Sequence, residues 1–346
     1  MGLIMNDCQS VFITSHGGPD VLEIRSAPIP DPKEHEVLVE IKFSGINFAD
    51  IMSRMGLYTT SFKPPYRLGM EIAGVVVKAG SDKYSSMVGQ TVVGMCRSGG
   101  YSTFVNAPAE QLFVIDDKWQ SVSAAIPVNY LTAYFMMVHQ GNLRKDETIL
   151  IHGIGGGVGI AALQIAKKIG SSVIGTASGG KHSKIKELGV DQLIDYQKED
   201  FSEKVMEMTN GKGVDLILDS LGGEELAKSY SCLSEFGRVG AYGFSTAVTG
   251  PKRNYFKILP KFLKMPKFNP RHMMMNNQGA FGFHLGMIRQ RKDLVSKYGK
   301  ILFDWLEDGT IVPIIDSVFE LDKASDAHKY IGDRKNFGKV LLSPSK

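Results

Sequence analysis

TILIHGIGGGVGIAALQIAKKIG, residues 148–170, reads as a buried strand, a glycine turn and an amphipathic helix in immediate succession. TILIHG is a continuous apolar run, the pattern of a strand covered on both faces. VGIAALQIAKKIG then spaces its apolar residues as a helix does, puts lysines in the last turn and stops at Gly170. Gly156 and Gly159 stand where a phosphate-binding turn needs them: one admits backbone N–H groups close to a pyrophosphate, the other lets helix pack on strand. The helix N-terminus favours anionic oxygens. Ile154 replaces the first glycine of a strict GxGxxG, so the motif is a variant. A bare glycine run also suits a tight turn without a ligand. The flanking strand and helix favour dinucleotide binding, with Gly155, Gly156, Gly157, Val158 and Gly159 as the candidate cradle.

Downstream, SVIGTAS (172–178), VDLILDSLGG (214–223) and GRVGAYGFS (237–245) repeat the rhythm of strand and glycine turn. That spacing predicts a parallel, doubly wound α/β sheet. An enzyme selective for NAD usually carries an acid about 20 residues past the turn. Here the segment is TASGGK (176–181), where Ser178 can donate a hydrogen bond and Lys181 a positive charge, so NADPH is favoured. A solvated lysine is the plain alternative for Lys181. Upstream, VLVEIKFSGIN (37–47) and IAGVVVKAG (72–80), punctuated by Gly and Pro clusters, predict a short-stranded barrel or sandwich. The chain closes with strand, capped helix and strand across 311–342. Asp50 and Arg54, four apart, have the spacing of an intrahelical ion pair.

At 346 residues the chain exceeds the roughly 250 to 300 at which a single core stops growing, so two domains are expected. With 43% apolar and 22% charged residues, disordered and collagen-like classes drop out. Cys8, Cys96 and Cys232 are scattered, which suits a reducing compartment and excludes a four-cysteine zinc site. The first residues lack a signal pattern. The best apolar run, Val122 to Val138, is interrupted by Pro127 and Asn129, so a cytoplasmic location is expected. Of 40 basic and 36 acidic residues overall, ten of the basic ones crowd into Lys252 to Lys292, and no acid occurs between Phe236 and Lys292. Without that segment the chain would be acidic on balance.

GINFADIMSRMGLY (45–58), GMEIAGVVVKAG (69–80), NYLTAY (129–134), HGIGGGVG (152–159), DFSEKVMEMTNGKGVDLILDSLGG (200–223) and FGKVLL (337–342) resemble the quinone oxidoreductases in order and spacing. That family, within the medium-chain dehydrogenases/reductases, includes zeta-crystallin. The acid-poor stretch after Gly250 is more similar to the synaptic-vesicle membrane protein homologues among them. The resemblance implies a GroES-like catalytic domain (1–126 and 301–346) around a Rossmann domain (127–300, with a basic insertion at about 251–280). A cleft is implied between them, and a homodimer joined at a sheet edge. Zinc-using relatives place Cys at the position of Asn47 and His at that of Met70. Neither residue here supplies thiolate or imidazole, and Glu71 alone makes no site, so no catalytic metal is expected.

The same resemblance implies that Asn47 sits beside the nicotinamide or the substrate carbonyl with an amide able to donate. The competing reading is a turn asparagine. It implies that Tyr58 is a cleft tyrosine able to orient a carbonyl or relay a proton, against a bland aromatic. Asn129 and Thr132 become cofactor contacts, unless they simply start a helix. Tyr196 falls against the 2′-phosphate, and Leu221 in the run from Asp219 to Gly222, Tyr242 with Gly243, Phe283, Asn336 and Lys339 complete the implied cofactor set. A metal-free site of this kind works by holding NADPH face to face with an electron-poor acceptor, a quinone or another α,β-unsaturated carbonyl.

PKRNYFKILPKFLKMPKFNPRHMMMNNQG (251–279) mixes basic, aromatic and apolar residues and is broken by Pro260, Pro266 and Pro270. A lid over the cleft, a dimer contact or a membrane-surface patch spanning 251–292 all fit it. No nucleic-acid motif is legible, and no nucleic-acid partner is expected. Two functions therefore stand side by side: an NADPH quinone or enone reductase, and a non-enzymatic NADPH-binding protein that acts through membrane or protein association.

Overall fold

The computed structural model describes residues 7–58 and 62–344. Six strands form one sheet in the order Gln192–Asp195, Ser172–Ala177, Thr148–His152, Val214–Asp219, Leu233–Ala241, Gly279–Gly282. Every pairing in it is parallel. Strand order runs outward in both directions from the adjacent pair Thr148–His152 and Val214–Asp219. A crevice therefore opens at their carboxyl ends, the switch point where open α/β sheets take ligands.

Ile149, Leu150 and Ile151 are fully buried, as a strand covered on both faces requires. The helix Gly157–Ile169 buries Ile160, Leu163 and Ile165 against Ile149 and Ile151, each side chain contributing about 1.5–3 kcal/mol. It ends at Gly170, whose φ of 88° is the left-handed cap. Gly159 is required by contact: a Cβ there would lie 2.5 Å from the Gly153 oxygen and from Ile154 Cα.

The other body is β-rich. Glu36–Ile46 runs through the middle of a seven-stranded sheet and pairs antiparallel with Glu71–Ala79, with Phe104–Pro108 and with Lys339–Ser343. Alternation along VLVEI sends Val37, Val39 and Ile41 inward to meet Ile72, Val76 and Val105. Asp7–Ile13, Leu22–Pro28 and Tyr66–Arg67 make a small second sheet. The architecture is a GroES-like β-rich part joined to a doubly wound parallel sheet, and the end of the chain returns to the β-rich part.

That return sets the site. The Gly338 N–H donates to the Gly155 oxygen at 2.9 Å, and Gly338 bridges to Gly156. Two residues on, Val340 is registered against Ile46. The glycine turn and the strand end that carries Asn47 are thus held together through a short step of backbone.

Asn129 and Thr132 lie inside a helical stretch, not at its start: Ile126–Tyr130 and Phe135–Gln140 are π-helical on either side of Leu131–Tyr134. No helix among the described residues is long and apolar enough to cross a membrane, and the segments Asp117–Ser123 and Ile126–Gln140 are bent by 57° from one another.

The basic segment forms two short helices, Tyr255–Leu263 and Pro270–Asn276, capped by Asn254 and Asn269. No residue of 251–279 lines the main cleft, whose nearby wall comes from Tyr242–Thr246 and Phe283–Leu285. Of the wider 251–292 stretch, Phe283, His284 and Leu285 line the cleft, whereas the two helices do not. Several of its cations are already engaged: Lys252 with Asp20, Lys264 with Glu224, and Lys261 with the Thr246 oxygen.

Candidate functional site

At the switch point lies a cleft of about 620 Å³. Its walls include every residue singled out from the sequence: Asn47, Tyr58, Asn129, Thr132, Gly155 to Gly159, Ser178, Lys181, Tyr196, Leu221, Tyr242, Gly243, Phe283, Asn336 and Lys339. These come from both bodies and from positions nearly 300 residues apart in the chain, brought together by the Gly338 hook.

The N–H groups of Gly157, Val158 and Gly159, in the first turn of their helix, have no partner within it. Room beside them is tight, since a Cβ at Gly157 would fall 2.0 Å from Asn129 Nδ2. Asn129 thus packs against the glycine turn. Below the turn, Asp219 is fully buried, with Oδ1 accepting from the Leu221 and Gly222 N–H groups at 2.9 and 2.8 Å. Its Oδ2 accepts from Ser229 Oγ at 2.7 Å, and Ser229 lies 3.0 Å from His152 Nε2. Burial lowers the His152 pKa, with Asp219 opposing, so an uncharged imidazole floors the crevice.

At the far end, Lys181 Nζ donates to the Asn336 carbonyl, and burial pulls its pKa down. Lys181 is thereby half-tethered to the chain end and is not the freely solvated lysine of the plain alternative. Arg334 also lines the cleft and is close enough to be felt electrostatically at Lys181. The sequence reading missed Arg334. A basic residue two positions before Asn336 was the only available signal. Tyr58 stacks on His284 with ring centroids 5.0 Å apart. Tyr242 is held up to about 12 by burial and stays a protonated phenol.

Asn47 departs from expectation. Its Nδ2 donates to Glu71 Oε1 at 2.8 Å and loosely to the Gly45 oxygen at 3.4 Å, while its Oδ1 accepts from Lys339 Nζ at 2.7 Å. The donor-only ammonium and the acceptor carboxylate fix which way the amide faces. Its donors are spent inward and none is left for a carbonyl in the cleft. Nor is it a turn asparagine: it caps the helix Phe48–Met55, and its N–H donates to Asp50 Oδ2 at 2.8 Å. Glu71, dismissed on sequence grounds, is the hub. Its Oε1 also pairs with Lys339, and its Oε2 accepts from the Val128 N–H at 2.9 Å.

The Asp50–Arg54 ion pair does not form. Asp50 Oδ2 is taken by the Asn47 N–H and by the Tyr101 hydroxyl at 3.0 Å, and the Arg54 Nε and Nη1 have no hydrogen-bond partner among the described residues. Both side chains are buried, because this helix turns that face into the β-rich core.

Two family patterns match the chain: "Alcohol dehydrogenase GroES-like domain" over residues 33–117 and "Zinc-binding dehydrogenase" over 188–342. The rat synaptic vesicle membrane protein VAT-1 homolog is 37% identical over 338 residues, covering 96% of this chain and 83% of that protein. The chain belongs to the quinone oxidoreductase-like medium-chain dehydrogenases/reductases. Among solved relatives of this family, Escherichia coli quinone oxidoreductase complexed with NADPH superposes with a TM-score of 0.86 at 29% identity, covering 97% of this chain and 100% of that one. CurK enoyl reductase does so at 0.83 and 26%, covering 98% and 99%.

Despite the second pattern's name, a catalytic zinc does not fit the residues present. No three His, Cys, Asp or Glu side chains converge on a metal position among the described residues. Where a dication would need Glu71, the Lys339 ammonium already sits on that carboxylate and would repel it.

Proposed function

We propose that the protein is a zinc-independent oxidoreductase that uses NADPH to reduce a quinone or another α,β-unsaturated carbonyl. The observation that carries this reading is the hook at Gly338, which holds the phosphate-binding turn, Asn47 and Tyr58 against one cleft. Bound NADPH supplies two electrons and one hydrogen as hydride, and a proton from solvent completes hydroquinone or saturated carbonyl. The chain supplies the rest by positioning. The turn Gly155–Gly159 grips the pyrophosphate. Lys181, Ser178, Tyr196 and Arg334 meet the 2′-phosphate, while Asn129, Thr132, Leu221, Tyr242, Gly243, Phe283, Asn336 and Lys339 fix the rest of the cofactor. Tyr58 faces the acceptor, and Glu71 with Lys339 keeps Asn47 in one orientation. Conjugated acceptors suit such a site because they spread the incoming charge without a Lewis acid.

The test is calorimetry with NADPH and NADH, followed by NADPH oxidation against a panel of quinones and alkenals with and without a chelator. Tight NADPH binding and chelator-resistant turnover are expected. Absence of heat with either coenzyme, or tighter binding of NADH, would overturn the reading.

A cytoplasmic homodimer paired through the edge strand Gly279–Gly282 is part of the same proposal. A second reading rests on the helix Tyr255–Leu263, where Phe256 is 94% exposed beside Leu259, Leu263 and Lys257. Apolar side chains next to Lys257, which forms no ion pair among the described residues, suit an anionic membrane surface. Sedimentation with phosphatidylserine vesicles should capture the protein, and Phe256→Ser with Leu263→Ser should release it. Equal recovery in the supernatant for both forms would rule this out.

A further inference from the structure

A second pocket of about 220 Å³ opens off the main cleft, and the two share Ala49, Tyr58, Val128 and Leu285 in their walls. It shares Tyr58 with the main cleft and includes none of the residues of the glycine turn. Leu68, Met70, Met95 and Phe62 make it largely apolar. Two guanidinium groups, Arg67 and Arg97, interrupt this wall.

Neither arginine forms an ion pair with a carboxylate among the described residues, and the undescribed stretches 1–6, 59–61 and 345–346 contain no Asp or Glu side chain. Arg97 instead lies over the Phe62 ring, 5.0 Å from its centroid. Arg67 rests on Gly99, where a Cβ would come within 3.4 Å of its Cζ, and its charge reaches the buried Cys96 thiol inside the pocket. The only carboxyl lining the pocket among the described residues, Asp50, turns its Oδ2 to the Asn47 N–H and the Tyr101 hydroxyl. A largely apolar pocket bordered by a half-buried Arg67 and an exposed Arg97, neither ion-paired among the described residues, attracts an oxyanion on an otherwise apolar molecule.

We propose that this pocket is an acceptor subsite in which Arg67 and Arg97 bind a carboxylate or phosphate carried by the conjugated carbonyl substrate. The proposal rests on the oxidoreductase reading above and names its substrate class: anionic quinones or enones. Arg67 pairs with Phe12 through the backbone, so its side chain can be exchanged without disturbing that register.

The experiment compares three naphthoquinones that differ only in an alkyl tail ending in carboxylate, phosphate or methyl ester. Each is tested by NADPH oxidation and by calorimetric titration into the NADP⁺-loaded protein. In the wild type, the better of the two anions should exceed the ester by about tenfold or more in kcat/KM and in affinity, the scale of one charge-assisted hydrogen bond. Which anion leads identifies the group. In Arg67→Gln with Arg97→Gln, and in part in Arg97→Gln alone should the double variant not fold, the ratio of anion to ester should fall toward unity. Equal use of anion and ester by the wild type, or a preference that survives in the folded variants, overturns the subsite. If no acceptor is reduced but the anions still bind through the arginines, the oxidoreductase reading fails and the subsite stands.

Discussion

Lys339 and Glu71 form an ion pair in the interior, with side chains 2% and 0% exposed. The pair joins the last strand of the chain to the strand Glu71–Ala79, and Asn47 bridges its two members. Gly45 makes room for it, since a Cβ there would collide with Glu71 Oε1 and lie 2.5 Å from Lys339 Cε. Removing one member strands a buried charge, which costs about 3–5 kcal/mol. Lys339→Met and Glu71→Gln should each lower unfolding free energy by about that much, whereas Glu71→Gln with Lys339→Met should recover a large part. A denaturant series on the three variants checks this; additive losses would mean that the pair is not coupled.

Asn47 and Lys339 are the members of this cluster that line the cleft. Asn47→Ala should lower turnover by at least tenfold while leaving NADPH affinity within about threefold, because the amide organises the acceptor end and not the phosphates. Full activity in that variant, measured beside its coenzyme affinity, would remove Asn47 from the site.

How much of this was legible in the sequence follows from the range of each interaction. The glycine turn, its strand and its helix are consecutive, so spacing alone located them, and the resemblance supplied the distant cleft residues. The Glu71 hub was invisible because its partners are 24, 57 and 268 residues away, and only folding brings them into contact. The Asp50–Arg54 reading failed for a related reason. The i,i+4 rule holds on a solvated helix face, and this face is buried against Tyr101, which competes for the carboxylate. Arg67 and Arg97 carried no local signal, since unpaired arginines are recognised only once their surroundings are known.

Coenzyme choice should depend on two cations. Lys181→Ala and Arg334→Ala should each weaken NADPH binding by about tenfold and leave NADH binding within about twofold, because only the phosphorylated form has an oxyanion there. Added salt should compress the difference if Arg334 contributes through solvent-exposed charge. Equal losses with both coenzymes, read by titration at two ionic strengths, would assign these residues to structure instead.

Two buried groups, Asp50 and His328, give the protein opposing pH responses. Burial raises Asp50 to about 7, with the hydrogen bonds from Asn47 and Tyr101 opposing, and lowers His328 to about 3, with the Arg54 charge adding to the shift. The rings of Tyr101 and His328 meet edge to face at 5.8 Å, so both groups belong to one interior region. For Asp50 the folded state holds the proton more tightly. Its stabilising contribution is complete below the unfolded value of about 4 and is lost as pH rises toward 7. For His328 the unfolded state holds the proton more tightly, so stability is lost as pH falls below about 6.5 toward 3. Between about pH 4 and 6.5 the two slopes, each at most about 1.4 kcal/mol per pH unit, oppose each other, and His152, whose pKa burial also lowers, adds to the His328 side. Asp50→Asn should steepen the stability loss on acidification across that window, and His328→Phe should lessen it. Urea melts of the three proteins at pH 4.5, 5.5 and 6.5 read this directly. A variant whose slope matches that of the wild type would mean that the group it removes titrates in the folded protein near its ordinary value.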